Sequence, residues 1–142
     1  MDFGAYYSHI QSSKTIKLYG KIKEFQCLAN SVTELDVTGN PELQVLWCTY
    51  NLISSLDVSK NTKLKTLFCY GNKLTTLDVS NNTELTDLDV NGNMLTSLSV
   101  KNCPALAKIH CFGNQIKEKG MDTFIKSLPD RSGSNAGKIF IV

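Results

Sequence analysis

Hydrophobic residues in this chain recur at a spacing of 21 residues, and they do so in several columns at once. Ile22, Leu43, Leu64, Leu85 and Leu106 form one column, and Phe25, Leu46, Leu67, Leu88 and Ile109 form the next. Two residues later come Cys27, Cys48, Cys69, Val90 and Cys111, followed by Asn30, Asn51, Asn72, Asn93 and Asn114. Val32, Ile53, Leu74, Leu95 and Ile116 continue the register. Leu35, Leu56, Leu77 and Leu98 come next, then Val37, Val58, Val79 and Val100. The last two columns fail at Lys119 and Met121, so the repetition stops near residue 118. A fixed period reused five times predicts stacked coils, each unable to bury its apolar side alone. Alternation such as Leu46-Trp47-Cys48 turns an apolar pair inward from a short strand and the middle residue outward. Stacking at the ~4.8 Å strand spacing then makes a parallel sheet over a continuous core.

The pattern LxxLxCxxNxL is the leucine-rich repeat signature. The predicted fold is an α/β repeat: a leucine-rich repeat solenoid with a curved parallel sheet and a mostly irregular return side. Its asparagines sit where the chain leaves each strand, where a side-chain amide satisfies backbone groups that the turn would leave unpaired. One domain is expected over residues 1–142, with an N-terminal arm and cap at 1–20, five repeats over 21–118 and a C-terminal helix and strand cap over 119–142. Thr15 to Tyr19 followed by Gly20 reads as a strand and turn capping the first coil. The segment before it, with Phe3, Tyr6 and Tyr7, has no period and reads as an arm. Met121, Phe124, Ile125 and Leu128 fall at i, i+3, i+4 and i+7, which predicts an amphipathic helix over 120–128 stopped by Pro129. A loop from Asp130 to Gly137 then leads to a strand at Lys138 to Val142. That strand runs into the last residue, as it would in a piece of a longer protein.

Composition narrows the function. At 142 residues and a net charge of +2, with lysines scattered along the chain, there is no electrostatic footprint for nucleic acid. No window approaches the roughly 18 apolar residues of a membrane span, and Met1 to Ile10 lack the order of a secretory signal, so a soluble chain is predicted. Five cysteines are an odd number for a disulfide framework, and two histidines are few for a metal or acid–base site. Four of the cysteines should form a straight row facing the interior. In register on parallel strands they point the same way, and a buried thiol behaves as a small hydrophobe. Valine at 90 agrees, since a required ligand would not be replaced by an aliphatic group. No metal and no cofactor is expected. Cys103 stands in the column of Asn40, Asn61 and Asn82 on the return side, as a partly exposed thiol or a variant turn residue.

The run LDVSKNTKLKTLFCYGNKLTTLDVSNNTELTDLDVNGNMLTSL, residues 56 to 98, closely resembles the 21-residue, cysteine-ladder repeats of internalin-like bacterial surface proteins, including many from gut and oral Bacteroidetes. The resemblance extends over about residues 15 to 128. It implies an exported, non-enzymatic protein used for adhesion or recognition, at the cell surface or outside the cell. Such proteins usually carry a signal and anchoring or further domains, and neither is visible in this sequence.

Function should then reside in residues that the fold does not need. Gln26, Trp47, Phe68, Asp89 and His110 form a central outward column on the concave face. Glu24, Val45, Thr66, Asp87 and Lys108 flank it on one side, and Leu28, Thr49, Tyr70, Asn91 and Phe112 on the other. Trp47, Phe68, Tyr70 and Phe112, joined by Tyr50 at a strand end, place five of the twelve aromatic residues on one surface, as anchors of a recognition site. The contrary reading is that these rings only stabilise the sheet or lie under a cap. Asp87, Asp89 and Asn91 are too few for the 6–8 oxygen ligands of calcium, and better suit a polar edge. His110 stands one coil from Asp89 and is positioned to pair with it, but without a nucleophile or oxyanion donors the pair is not catalytic. The expected binding residues are Trp47, Tyr50, Phe68, Tyr70, Asp89, His110 and Phe112, on a monomer that recognises a protein. The alternatives are carbohydrate binding and a structural spacer without a ligand.

Overall fold

A computed structural model describes residues 15–130, together with the backbone of two short strands at Ala5–Tyr6 and Phe140–Ile141. The elements run β1 (Ala5–Tyr6), β2 (Thr15–Tyr19), β3 (Glu24–Gln26), β4 (Glu34–Gly39), β5 (Val45–Trp47), β6 (Thr66–Phe68), β7 (Asp87–Asp89), β8 (Lys108–His110), α1 (Glu118–Ser127) and β9 (Phe140–Ile141). Seven strands pair in the order β1-β3-β5-β6-β7-β8-β9, every pairing parallel. Each repeat contributes one three-residue strand, and equivalent residues lie opposite one another: Phe25, Leu46, Leu67, Leu88 and Ile109 are successive partners. The architecture is the predicted leucine-rich repeat solenoid.

The inward columns make one core. Leu43, Leu46, Leu64, Leu67, Leu85, Leu88 and Leu106 are fully buried, with Val58, Val79 and Val100 closing it from the return side. At about 1.5–3 kcal/mol for each buried aliphatic side chain, this row is the principal source of stability. Cys27, Cys48 and Cys69 are buried among the leucines, Cys111 is half-buried at the last repeat, and all five cysteines are free thiols. Burial pushes the thiols of Cys27 and Cys69 up to about 12 and that of Cys48 well above its ordinary value, because the thiolate would lose its hydration.

Asparagine amides stitch the coils together. Asn72 Nδ2 donates to the Cys48 carbonyl at 2.8 Å and to Cys69 at 3.0 Å, while its Oδ1 accepts the Ile53 N–H at 3.0 Å. Asn51, Asn93 and Asn114 repeat this pattern. Asn30, in the first repeat, donates within its own turn to the Leu28 carbonyl. A second ladder runs along the return side through Asn40, Asn61 and Asn82, all fully buried. Asn61 donates to the carbonyls of Val37 and Asn40, and Asn82 to those of Val58 and Asn61. Cys103 continues this row: it is fully buried and its thiol reaches the Val79 carbonyl at 3.5 Å, so it is the variant turn residue and not a partly exposed thiol. A thiol serves there because Asn61 and Asn82 use only their donor ends. Their Oδ1 atoms have no hydrogen-bond partner.

The ends depart from the sequence expectation in detail. β2 lies on the return side, where it pairs in parallel with β4 of the first coil, with a register shift between Lys17 and Tyr19. β1 adds to the main sheet beside β3, so the amino-terminal segment supplies strands to both faces of the stack. At the other end α1 begins at Glu118 and ends at Ser127, with Leu128 and Pro129 beyond it. Phe124 is buried and Leu128 packs against the core, but Met121 and Ile125 are exposed. The buried face includes Ser127 instead, whose hydroxyl accepts the N–H of Val100 at 3.0 Å and so satisfies the last coil's backbone. β9 pairs with β8 and supplies the expected closing strand at Phe140–Ile141; the remainder of Lys138 to Val142 lies outside the described residues.

Candidate ligand-binding face

Three-residue strands are short, yet the backbone bonds continue past them. Cys48, Tyr50, Cys69 and Gly71 donate to the carbonyls of Phe68, Tyr70, Asp89 and Asn91 at 2.9 Å each, and Val90 and Gly92 repeat the pattern onto the fifth repeat. The stretch carrying all three outward columns is therefore fixed by backbone hydrogen bonds on consecutive coils. Side chains on it are positioned before any ligand arrives.

The register puts Gln26, Trp47, Phe68, Asp89 and His110 in one line across the sheet, as the spacing requires. The rings of Trp47 and Phe68 stack with centroids 5.5 Å apart and planes 19° from parallel. Tyr50 and Tyr70 meet edge to face at 5.0 Å. Each such contact contributes about 0.5–1.5 kcal/mol beyond area burial. Trp47, Phe68 and Tyr70 are half-buried, whereas Tyr50 is 63% exposed. The four rings thus form two pairs, both bridging the second and third repeats. Phe112, 77% exposed, stands two coils from Tyr70, with Asn91 between them in the same column.

Two features at this cluster work against stability. Ala29, Tyr50, Gly71, Gly92 and Gly113 occupy equivalent turn positions, all with φ between +53° and +68°. Glycine adopts this conformation without a Cβ penalty, whereas a non-glycine residue pays about 1–2 kcal/mol. Tyr50 nevertheless holds it, and its ring lies where a Cβ on Gly71 would come within 2.7 Å of it. The indole Nε1 of Trp47 is enclosed without a hydrogen-bond partner among the described residues, a second cost of about 1–3 kcal/mol. Backbone and polar-group costs of this kind gather at sites that are kept for something other than the fold.

The polar edge is arranged differently from the sequence expectation. Asp89 and His110 lie opposite one another but share no hydrogen bond or ion pair; Asp89 Oδ1 accepts the N–H of Asn91 at 3.0 Å. Asp87 is paired with Lys108 at 3.3 Å, and its other oxygen accepts the Thr86 hydroxyl at 2.7 Å. No group of three or more metal-ligating side chains occurs among the described residues. Thr49, assigned to an outward column, is only 2% exposed. Leu28 and Leu52 are exposed apolar residues of the neighbouring turns. Leu52 escaped the column reading because it follows the turn rather than the strand. Its equivalents Ser31, Lys73, Met94 and Gln115 share no chemistry.

The fold matches solved structures. The functional domain of InlJ from Listeria monocytogenes, which includes a cysteine ladder, is 36% identical to this chain over 74% of its length, with a TM-score of 0.71. This chain is an internalin-like leucine-rich repeat solenoid. A leucine-rich repeat protein of Leptospira interrogans shares the fold at a TM-score of 0.63 and 24% identity, over 70% of the chain. The solenoid spans 24% of the first structure and 28% of the second. No family model matches the sequence, and no curated protein matches it. The internalin-like cysteine ladder is present here as Cys27, Cys48, Cys69 and Cys111, interrupted by Val90. No helix among the described residues of the solenoid is long and apolar enough to cross a membrane.

Proposed function

We propose that this solenoid is a recognition module, not an enzyme, that binds a protein partner through the aromatic cluster on its outward, concave sheet face. The observation that carries the reading is Tyr50: a large, exposed ring kept in a left-handed backbone conformation that three equivalent turns give to glycine. With Trp47, Phe68 and Tyr70 it forms a rigid apolar surface on a hydrogen-bonded frame, so little side-chain entropy is lost on association. Asp89, His110 and Phe112 form the rest of the contact surface. Likeness to internalin-type proteins supports an interaction role and a place at the cell surface or outside the cell.

A protein fits better than a glycan. Trp47 and Phe68 each use one ring face on the other, so the pair offers no broad coplanar platform for a sugar ring. The test is capture by immobilised wild type and by the Trp47→Ser/Phe68→Ser double variant, with identical folding checked by circular dichroism. A protein retained by the first and lost from the second supports the reading. Equal retention would overturn it, and a polysaccharide retained only by wild type would replace it with glycan recognition.

A further inference from the structure

The charge around the aromatic cluster specifies its partner further, and the following rests on the reading that this face binds a protein. The chain carries a net charge of +2, yet its outward sheet face is negative. Three carboxylates stand on the outward columns of the described strands: Glu24, Asp87 and Asp89. The one lysine there, Lys108, is held by Asp87. Lysines at the strand entrances are engaged as well, Lys63 by Glu42 at 2.8 Å and Lys65 by Glu84 at 4.0 Å. Asp89 differs from Asp87 in having no cation within ion-pair distance among the described residues. One oxygen is used by the Asn91 N–H, and the other has no partner among the described residues.

Asp89 lies directly opposite Phe68 in the register, one strand away, and Phe68 stacks on Trp47. Strands are ~4.8 Å apart, so a ring and an unpaired carboxylate fall within the span of a single planar guanidinium. Such a group gains from both neighbours: its plane lies over the ring, and its N–H donors reach the carboxylate. We infer that Asp89 and Phe68 together form a subsite for an arginine side chain of the partner, so that this face selects a basic protein segment. An acidic segment would meet Asp89 and Glu24 unscreened.

Trp47 is the only tryptophan in the chain, so its emission reports directly on this surface. The experiment titrates the full chain with three eight-residue peptides, alternating glycine with arginine, lysine or glutamate, at low salt. Wild type is compared with Asp89→Asn, Phe68→Ser and the control Asp57→Asn, a carboxylate between Leu56 and Val58 that accepts the Ser59 N–H at 2.9 Å. Asparagine keeps the Oδ1 acceptor for Asn91, so folding should be intact, and this is checked by urea titration. The expected result is a saturable change in Trp47 emission with the arginine peptide, a weaker response with lysine and none with glutamate. Affinity should fall about tenfold in Asp89→Asn and remain unchanged in Asp57→Asn. The inference is overturned if Asp89→Asn binds as wild type does, if glutamate competes equally, or if no peptide gives a saturable change. Loss in Phe68→Ser with no effect of Asp89→Asn would sink the arginine subsite alone and leave aromatic-face binding standing. Undiminished arginine-peptide binding in both variants would sink the two together.

Discussion

Truncating Asn72 to alanine removes three hydrogen bonds from the centre of the stack, but their loss is unequal. The carbonyls of Cys48 and Cys69 each keep a second donor, Asn51 for the first and Asn93 for the second, at 3.2 and 3.0 Å. Each therefore loses about 0.5–1 kcal/mol. The N–H of Ile53, a fully buried residue, has Asn72 Oδ1 as its partner at 3.0 Å and would be left unsatisfied, at about 1–3 kcal/mol. The sum is about 3 kcal/mol, a large part of the 5–15 kcal/mol typical of a folded domain. Asn114 makes the same set of bonds in the last repeat but is half-buried, so water replaces its amide and alanine there should cost about 1 kcal/mol. Equilibrium urea unfolding followed by circular dichroism measures both. The expected outcome is a lower midpoint at constant slope, with Asn72→Ala the more damaging by about 2 kcal/mol. Equal effects, or a change below about 0.5 kcal/mol at Asn72, would refute the stitching role of these amides.

The cysteine row gives two further tests. Cys69→Ser places a hydroxyl in an apolar row and should destabilise by about 2 kcal/mol, whereas Cys69→Val should cost less than about 1 kcal/mol, because Val90 already fills the same slot; equal urea midpoints would contradict this. The Cys69 thiol is raised from 9.0 to about 12 in the folded protein, so its contribution is complete below pH 9 and is lost as pH rises toward 12, at about 1.4 kcal/mol per pH unit. Between pH 8 and pH 10 wild type should therefore lose more stability than Cys69→Val, and parallel losses would show that the thiol does not ionise on unfolding. At the turn, Tyr50→Gly should be more stable than Tyr50→Ala by about 1 kcal/mol, since only glycine relieves the positive φ, while both lose partner binding. Greater stability of the alanine variant in the same titration would remove the argument from strain.

Much of this was legible in the sequence because a period of 21 residues fixes both the register and the face of every strand residue. Phe68 must lie beside Trp47 once Leu46 and Leu67 are paired, and the structure places it there. The conformation at Tyr50 was not among the expectations, although Gly71, Gly92 and Gly113 in its column carry the signal. Other features depend on contacts that repetition does not encode. The asparagines at 40, 61 and 82 sit in a visible column, but only their burial shows them to be a second ladder. The helical period at the carboxyl end gave α1 its place but not its facing, which is decided by the open backbone of Val100 and the hydroxyl of Ser127. β1 pairs through main-chain groups over two residues and carries no repeat, so no column announces it.

The proposed role requires that a partner touch the aromatic rings themselves. The most direct measurement is acrylamide quenching of Trp47, the sole indole, with and without a protein captured by the immobilised solenoid. The quenching constant should fall by at least about half when the partner is bound, because the half-buried ring is covered further in an interface that excludes water. An unchanged constant at saturating partner would place the contact elsewhere on the solenoid and contradict the account.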